Sequence, residues 1–191
     1  MITKNKRLQW FVLLLSLLVS PSIYAKQWYQ IELIVFAQNS ANSEVFDQTQ
    51  SSIRWPRRLV EISQIKYSKT QLLQAPINLA QLKSEDRALN AEYYQLRSRN
   101  GYRPLLHKAW VQTVASNSKS QPVRFFQKGS SLVNGFVSLE RGHYLHLNVN
   151  LEYDAGELVY KIEQRQKLRL NELNYFDHPK FGVIATVKRL K

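Results

Sequence analysis

The sequence predicts an α+β fold: a mostly antiparallel β-sheet with one main helix packed on it, in a single domain that follows an N-terminal leader. Residues 142–169 alternate apolar and polar side chains along two arms, as a half-buried β-hairpin does. Residues 84–100 carry the apolar spacing of a helix instead. Strand patterns precede this helix and then follow it repeatedly, an order typical of α+β proteins.

The hairpin has the clearest periodicity in the chain. Asp154-Ala155-Gly156 supplies its turn, because glycine accepts the positive φ that short hairpin loops need. We expect one face to meet a core, through Leu145, Leu147, Val149, Leu151 and Tyr153 in the first arm and Leu158, Tyr160, Ile162, Leu168 and Leu170 in the second. The opposite face of the second arm is a predominantly basic surface of Lys161, Glu163, Arg165, Lys167 and Arg169.

Residues 1–25 have the pattern of a secretory signal peptide. Basic residues precede an apolar run from Trp10 to Val19, and Ala25 offers a cleavage point after Pro21. The apolar run is about half of the ~20 residues needed to span a bilayer, so we expect cleavage and no stable membrane insertion. Residues 26–191 are then expected to form one periplasmic domain.

The chain contains no cysteine and carries a net charge of +13. Residues 1–25 contain three basic residues and no acids, so the mature part has 24 basic and 14 acidic residues, a net charge of +10. Export argues against a nucleic-acid partner, although the charge alone suggests one. The charge is predicted to act on anions of the cell envelope, or simply to keep the protein soluble.

The first mature strand is predicted at 28–36, where the far end is apolar on both faces, as in a central strand. Residues 38–52 are polar and predict a surface loop. Residues 59–82 have no clear pattern. After the helix, we expect strands at 105–115, 123–126, 132–139 and 181–188, with a hairpin loop at 116–121 and a turn at 129–131.

The helix is predicted from its ends as well as its spacing. Ser84 is a candidate N-cap, with Glu85 and Asp86 in the first turn, where the helix dipole favours acids. Asn100-Gly101 predicts the C-terminal stop. An apolar stripe on one side, expected to pack on the sheet, consists of Leu89, Tyr93 and Leu96.

Two groups of residues are candidate ligand contacts. Trp55 lies between Arg54 and Arg57, and an aromatic face beside guanidinium groups suits sugar rings and carboxylates. An alternative is that Trp55 fills a gap in the core. The second group is the row Lys161, Arg165, Lys167 and Arg169, which suits carboxylate-bearing peptides, although such a row also serves as a solvated face that discourages edge pairing.

No catalytic or metal-binding motif is evident. His143 and His146 are spaced by three on a predicted strand, which points them to opposite faces, so we expect no metal or other cofactor. Asp177-His178-Pro179 lacks the geometry of an oriented base and is expected to shape a turn. Glu172 or Asp177 acting on a glycan needs a further carboxyl group or substrate assistance. The sequence therefore favours a protein that is not an enzyme.

Four segments are distinctive when taken together. They are WYQIELIVF at 28–36, Trp55-Pro56, YLHL at 144–147 after Arg141, and YFDHPKFGV at 175–183. Together they resemble the CsiV family of periplasmic peptidoglycan-binding proteins, over nearly the whole mature chain. Gly142 and His143 depart from the family pattern and are expected to move Arg141 off the strand face. Motif residues of unknown role are Arg141, Tyr144, His146, Asp177, His178, Pro179, Phe181 and Gly182.

The resemblance implies a function that periodicity and composition do not. It implies a non-enzymatic factor that binds peptidoglycan and supports wall assembly, working with an outer-membrane lipoprotein activator and its bifunctional penicillin-binding protein. One alternative is a protein adaptor of the envelope that does not touch the wall. Another is a cell-wall hydrolase.

Overall fold

A computed structural model describes residues 26–39, 53–62, 66–68, 70–71, 79–125 and 132–190. The predicted signal peptide, most of the predicted loop at 38–52 and the predicted turn at 129–131 lie outside these residues. Among the described residues, no helix is long and apolar enough to span a bilayer.

The described chain is mostly β-strand, with one main helix, as predicted. The helix, α1, is Asn90–Ser98, and a short 3₁₀ helix at Ser84–Asp86 precedes it. The strands are β1 Gln27–Gln38, β2 Val60–Glu61, β3 Lys66–Tyr67, β4 Leu79–Leu82, β5 Tyr102–Val114, β6 Ser118–Lys119, β7 Val123–Phe125, β8 Val133–Arg141, β9 Leu145–Asp154, β10 Val159–Lys167, β11 Asn174–His178 and β12 Phe181–Arg189.

The strands form two sheets. The first sheet has the order β11-β12-β1-β5-β4-β3, and the second has the order β10-β9-β8-β7-β2, with β6 added beside β8. Most neighbours are antiparallel, and the short pairs β2 with β7 and β3 with β4 are parallel. β1 lies between β12 and β5, so the prediction of a central strand at 28–36 is confirmed.

A single large apolar cluster lies between the two sheets. Ile31, Leu33 and Val35 of β1 enter it from the first sheet, together with Trp110 of β5. Rings from opposite sheets meet there, since the centroids of Trp110 and Phe125 are 5.5 Å apart. Burial of this apolar surface holds the sheets together without disulfides.

The helix packs on the other face of the first sheet. Ile34 and Phe36 of β1 contact the apolar stripe, so its predicted orientation is confirmed. The predicted N-terminus was wrong, because α1 begins at Asn90 with Leu89 as its N-cap, and Ser84 is the first residue of the 3₁₀ helix. Glu85 and Asp86 lie in the 3₁₀ helix and not in the first turn of α1. The stripe consists of Leu89, Tyr93 and Leu96.

The predicted hairpin is β9 paired with β10. Its core face is confirmed for the first arm, where Leu147, Val149 and Leu151 are almost fully buried. The second arm ends earlier than predicted, at Lys167, so Arg169 follows the strand and Leu170 is exposed.

The interpretation of 116–121 as a simple hairpin loop was wrong. β5 belongs to the first sheet and β7 to the second, so this segment carries the chain from one sheet to the other. On the way, Ser118 and Lys119 pair with the end of β8. The backbone N–H of Leu139 donates to Ser120 Oγ at 2.9 Å, which fixes the crossing.

Candidate ligand-binding face

The outward side of the second sheet gathers most of the predicted ligand contacts. Partners in an antiparallel ladder point to the same face, so the register determines which side chains are neighbours. His146 of β9 pairs with Glu140 of β8 and with Lys167 of β10. We call this surface the polar face; its strand residues are Arg124, Asn134, Phe136, Ser138, Glu140, His146, Asn148, Asn150, Glu152, Lys161, Glu163, Arg165 and Lys167.

Trp55 lies on the polar face and is 40% exposed. Its ring centroid is 6.1 Å from that of Phe136, and the guanidinium carbon of Arg124 lies 4.9 Å from the Trp55 ring. Ile53, two residues earlier, is buried. Trp55 therefore lies at the surface and does not fill a gap in the core, and Arg54 and Arg57 are exposed on either side of it. The role of these three residues in ligand binding stays a prediction.

Polar side chains occupy the middle of the face. Asn150, opposite Phe136, is only 7% exposed, and its Oδ1 has no hydrogen-bond donor among the described residues. Asn134 Oδ1 and His146 Nδ1 are also buried and have no hydrogen-bond partner among the described residues. A buried acceptor without a donor costs about 1–3 kcal/mol, so these atoms would gain a hydrogen bond from any ligand or water that reached them.

Arg165, the middle of the basic row, is held by a carboxylate. Its Nη2 and Nε donate to the two oxygens of Glu140 at 3.0 and 3.3 Å. Lys119 Nζ lies 3.4 Å from the same carboxylate. The hydrogen bond from Arg165 is the main cause that lowers the pKa of Glu140 to about 2. Arg165 is consequently paired until a competing anion displaces Glu140.

The other members of the row are also engaged within the chain. Lys161 Nζ lies 2.6 Å from Glu163 Oε2. The ammonium group of Lys167 lies 3.3 Å from the ring centroid of Tyr144, a cation–π contact. Lys161, Arg165 and Lys167 share the polar face as expected from their spacing.

Arg169 is separated from that row. It lies in the segment after β10, where its Nη1 is 3.6 Å from Glu172 Oε2. Its backbone N–H donates to Asn174 Oδ1 at 3.1 Å. The role of Arg169 in ligand binding stays a prediction, and the structure gives it a surface ion pair that stabilises by at most about 1 kcal/mol.

The first motif of unknown role divides between the two sides of the second sheet. His146 lies on the polar face, and Tyr144 adjoins it through its contact with Lys167. Arg141 alternates with Glu140 and therefore points to the other side, where its Nη1 lies 3.5 Å from the carbonyl oxygen of Val114. Alternation along β8 alone gives this orientation, so the expected effect of Gly142 and His143 on Arg141 stays a prediction.

The second motif forms the β11–β12 hairpin, away from the polar face. His178 pairs with Phe181 across a tight turn at Pro179 and Lys180, and the Lys180 N–H donates to His178 Nδ1 at 3.1 Å. Burial lowers the pKa of His178, and Asp177 opposes this effect. The Tyr175 hydroxyl donates to Asp177 Oδ1 at 2.9 Å, so this carboxylate orients a tyrosine and shapes the hairpin.

The sequence reasoning missed Phe136, Asn134 and Asn150 as site residues. The alternation in 142–156 already placed Asn148 and Asn150 on the outward side of β9, so these two asparagines could have been recognised as site residues from the sequence. Phe136 and Asn134 gave no such signal, because only the register with β9 brings them beside Asn150 and Glu152. Within the described residues, no group of three His, Asp or Glu side chains is placed to hold a metal.

The fold and this face define a two-sheet protein whose second sheet has polar and aromatic side chains on its outer side. A family model described as "Peptidoglycan-binding protein, CsiV" matches residues 8–190. The chain therefore belongs to the CsiV family of peptidoglycan-binding proteins, as its motifs suggested. No curated protein and no solved structure matches it.

Proposed function

We propose that this protein binds peptidoglycan through the polar face and acts as a non-enzymatic factor in wall assembly. One observation carries the proposal: buried acceptor atoms of Asn134 and Asn150 lack donors among the described residues, beside the Trp55 and Phe136 rings. Polar groups that converge next to an apolar surface fix the orientation of a bound ligand. The family description supports the same ligand class.

The chemistry of the face matches both parts of peptidoglycan. The Trp55 ring offers an apolar platform for the C–H face of a sugar, and the asparagine oxygens accept hydrogen bonds from hydroxyl or acetamido N–H groups. Arg165 and Lys167 lie farther along the face, where stem-peptide carboxylates replace their internal partners. In this arrangement the sugar rings of a glycan strand contact Trp55, and the stem-peptide carboxylates contact Arg165 and Lys167.

The cellular setting is part of the proposal. The basic, apolar and small-residue order of residues 1–25 supports export to the periplasm, and the net charge of +10 on the mature part supports attraction to the anionic envelope. The partners proposed are an outer-membrane lipoprotein activator and its penicillin-binding protein, as the family resemblance implies.

The test is co-sedimentation of the mature protein with purified, protein-free sacculi. Trp55→Ala is expected to weaken binding about tenfold, because a central aromatic contact is lost while the fold is kept. Tyr94→Ala is the matched control. Tyr94 is a 63% exposed ring on α1, and α1 packs on the first sheet, whereas the polar face belongs to the second sheet. Equal binding by wild type and Trp55→Ala, with both folded, contradicts this site.

The same experiment separates the two alternative functions. Protein that stays in the supernatant at every salt concentration overturns wall binding and favours the adaptor. Soluble fragments released from the sacculi overturn the non-enzymatic role and favour the hydrolase. Retention without release supports the proposal, and a steep loss with added salt assigns part of the binding to exposed cations.

A further inference from the structure

A cavity opens at one end of the two-sheet core, away from the polar face. It has a volume of about 380 Å³, within the range of small-molecule sites. The ends of β1 and β9 and the starts of β5 and β10 surround it. The lining residues that matter here are Gln38, Tyr102, Arg103, Tyr153, Tyr160 and Lys180. We call this space the end cavity.

The charge of the end cavity is one-sided. Arg103 and Lys180 line it, and no acidic residue does so among those described. Arg103 Nη2 donates to the hydroxyl of Tyr153 at 2.9 Å, which orients the guanidinium group. The described residues include no carboxylate in an ion pair with Arg103, so its remaining N–H donors suit an anion, and a planar fork suits a carboxylate.

Aromatic rings form a second part of the wall. The ring centroids of Tyr153 and Tyr160 are 6.1 Å apart, and that of Tyr160 lies 5.5 Å from the ring of His178. Tyr102 closes another side and packs edge-on against Phe36, with centroids 5.7 Å apart. A ligand here therefore has an anionic group and an apolar or ring-shaped body.

The hairpin turn that belongs to the family motif is tied to this cavity. The Gln38 N–H donates to the Lys180 carbonyl oxygen at 3.0 Å, and Gln38 Nε2 donates to the His178 carbonyl oxygen at 2.7 Å. These bonds fix the Pro179-Lys180 turn against the end of β1. Asp177 lines an adjoining cavity, where the Tyr175 hydroxyl donates to its carboxylate, so this acidic side chain is not part of the end-cavity wall.

We propose that the end cavity binds a small carboxylate ligand, with the carboxylate on Arg103 and the body of the ligand against Tyr102 and Tyr160. This site is separate from the polar face and does not depend on it. Two sources share this chemistry: an acidic amino sugar, and the C-terminal end of a short peptide.

Isothermal titration calorimetry on the mature protein tests the proposal. The sugar probe is N-acetylmuramic acid against neutral N-acetylglucosamine, and the peptide probe is N-acetyl-alanyl-alanine against its C-terminal amide. We expect at least one carboxylate to bind, and at least about tenfold more tightly than its uncharged counterpart. The arm that responds identifies the source.

Variants connect the binding to the cavity. Arg103→Gln is expected to weaken carboxylate binding about tenfold or more, and Tyr102→Ala to weaken it severalfold without touching the guanidinium group. Arg189→Gln is the control and is expected to leave the binding unchanged, because Arg189 is exposed and pairs with Tyr29 at the start of β1, away from the cavity. Arg165→Gln is measured beside it, to test whether the carboxylate binds the polar face instead. Thermal unfolding verifies that each variant is folded. If Arg103→Gln does not fold, carboxylate binding by Tyr102→Ala tests the end-cavity proposal.

The proposal is overturned if neither carboxylate binds up to about 10 mM, or if folded cavity variants bind as wild type does. It is also overturned if Arg165→Gln, and not Arg103→Gln, abolishes binding. Sacculus binding by Trp55→Ala is a separate measurement, so the polar-face proposal and the end-cavity proposal can each fail alone.

Discussion

Gly182, in the family motif, is required by its neighbours. A Cβ atom at this position lies 2.7 Å from Phe36 Cζ and 2.9 Å from the Tyr175 hydroxyl, closer than real Cβ atoms come. The rings of Phe36 and Tyr175 stack with centroids 6.2 Å apart over the space this glycine leaves. The structure therefore explains this glycine by the close approach of two rings.

Gly182→Ala is therefore expected to destabilise the protein by about 1–3 kcal/mol, since overpacking forces two rings to move. Chemical denaturation measures the free energy of unfolding. Gly142→Ala is the matched control, because the nearest atom to a Cβ there is 3.9 Å away, and it should change stability by less than about 0.5 kcal/mol. Equal stability of the two variants contradicts the packing role.

Glu140 links acid stability to the polar face. Its pKa is lowered to about 2 from an ordinary 4.5, first by the hydrogen bond from Arg165. A carboxyl group with a depressed pKa in the folded state stabilises the fold fully above its ordinary pKa. That contribution is lost as the pH falls from about 4.5 towards 2, when the carboxylate is protonated.

Glu140→Gln is expected to remove this component of acid sensitivity. Unfolding midpoints measured between pH 6 and pH 2 should then fall less steeply for the variant than for wild type. Glu163→Gln is a control on the same face, since the pairing of Glu163 is with Lys161. Parallel pH profiles for wild type and Glu140→Gln would count against the pairing.

At the scale of elements, a buried side chain of β1 holds the segment that leads into α1. Glu32 of β1 is fully buried, and its two oxygens accept the backbone N–H groups of Ala88 and Leu89 at 2.6 and 2.9 Å. His107 Nε2 lies 2.7 Å from Glu32 Oε1, and the His107 ring stacks on Tyr93 with centroids 5.0 Å apart. One carboxylate thus joins β1, β5 and α1.

Glu32→Gln is expected to lower the free energy of unfolding by about 1–3 kcal/mol, because an amide has one acceptor oxygen where the carboxylate has two. The loss should appear in chemical denaturation and as faster amide exchange in α1. Glu85→Gln serves as the control, since that side chain is 65% exposed. Unchanged stability of Glu32→Gln would refute this role of Glu32 in holding the segment before α1.

At the scale of the whole molecule, part of the basic charge is already engaged in contacts within the chain. The mature part carries +10, yet Lys161, Arg165 and Lys167 each have a partner within the chain. Binding of wall carboxylates through these residues requires an exchange of partners. The exchange lowers the affinity below what the charge count suggests.

Glu140→Gln should therefore bind sacculi more tightly than wild type at neutral pH, by about threefold to tenfold, with a steeper dependence on salt. The reason is that Arg165 and Lys119 lose their shared internal partner. Co-sedimentation over a range of salt measures both effects. Weaker binding by the folded variant would show that Glu140 positions Arg165 for the ligand, or that it contacts the ligand itself.

The sequence by itself determined the elements whose signal is local. Alternation identified the β9–β10 hairpin and its core face, and helical spacing identified the stripe of α1, because each pattern records which side of one element meets apolar surroundings. Spaced motifs identified the family. The basic row was placed on one face for the same reason.

Only the tertiary structure decided what depends on contacts between distant segments. The division into two sheets, the hydrogen bonds that Glu32 accepts from the segment before α1 and the contact of Trp55 with Phe136 follow from strand order and register. Periodicity gives the side of a strand that is buried but not the strand that lies beside it. The polar face and the end cavity therefore emerge only when the strands are assembled, since each is built from segments far apart in the chain.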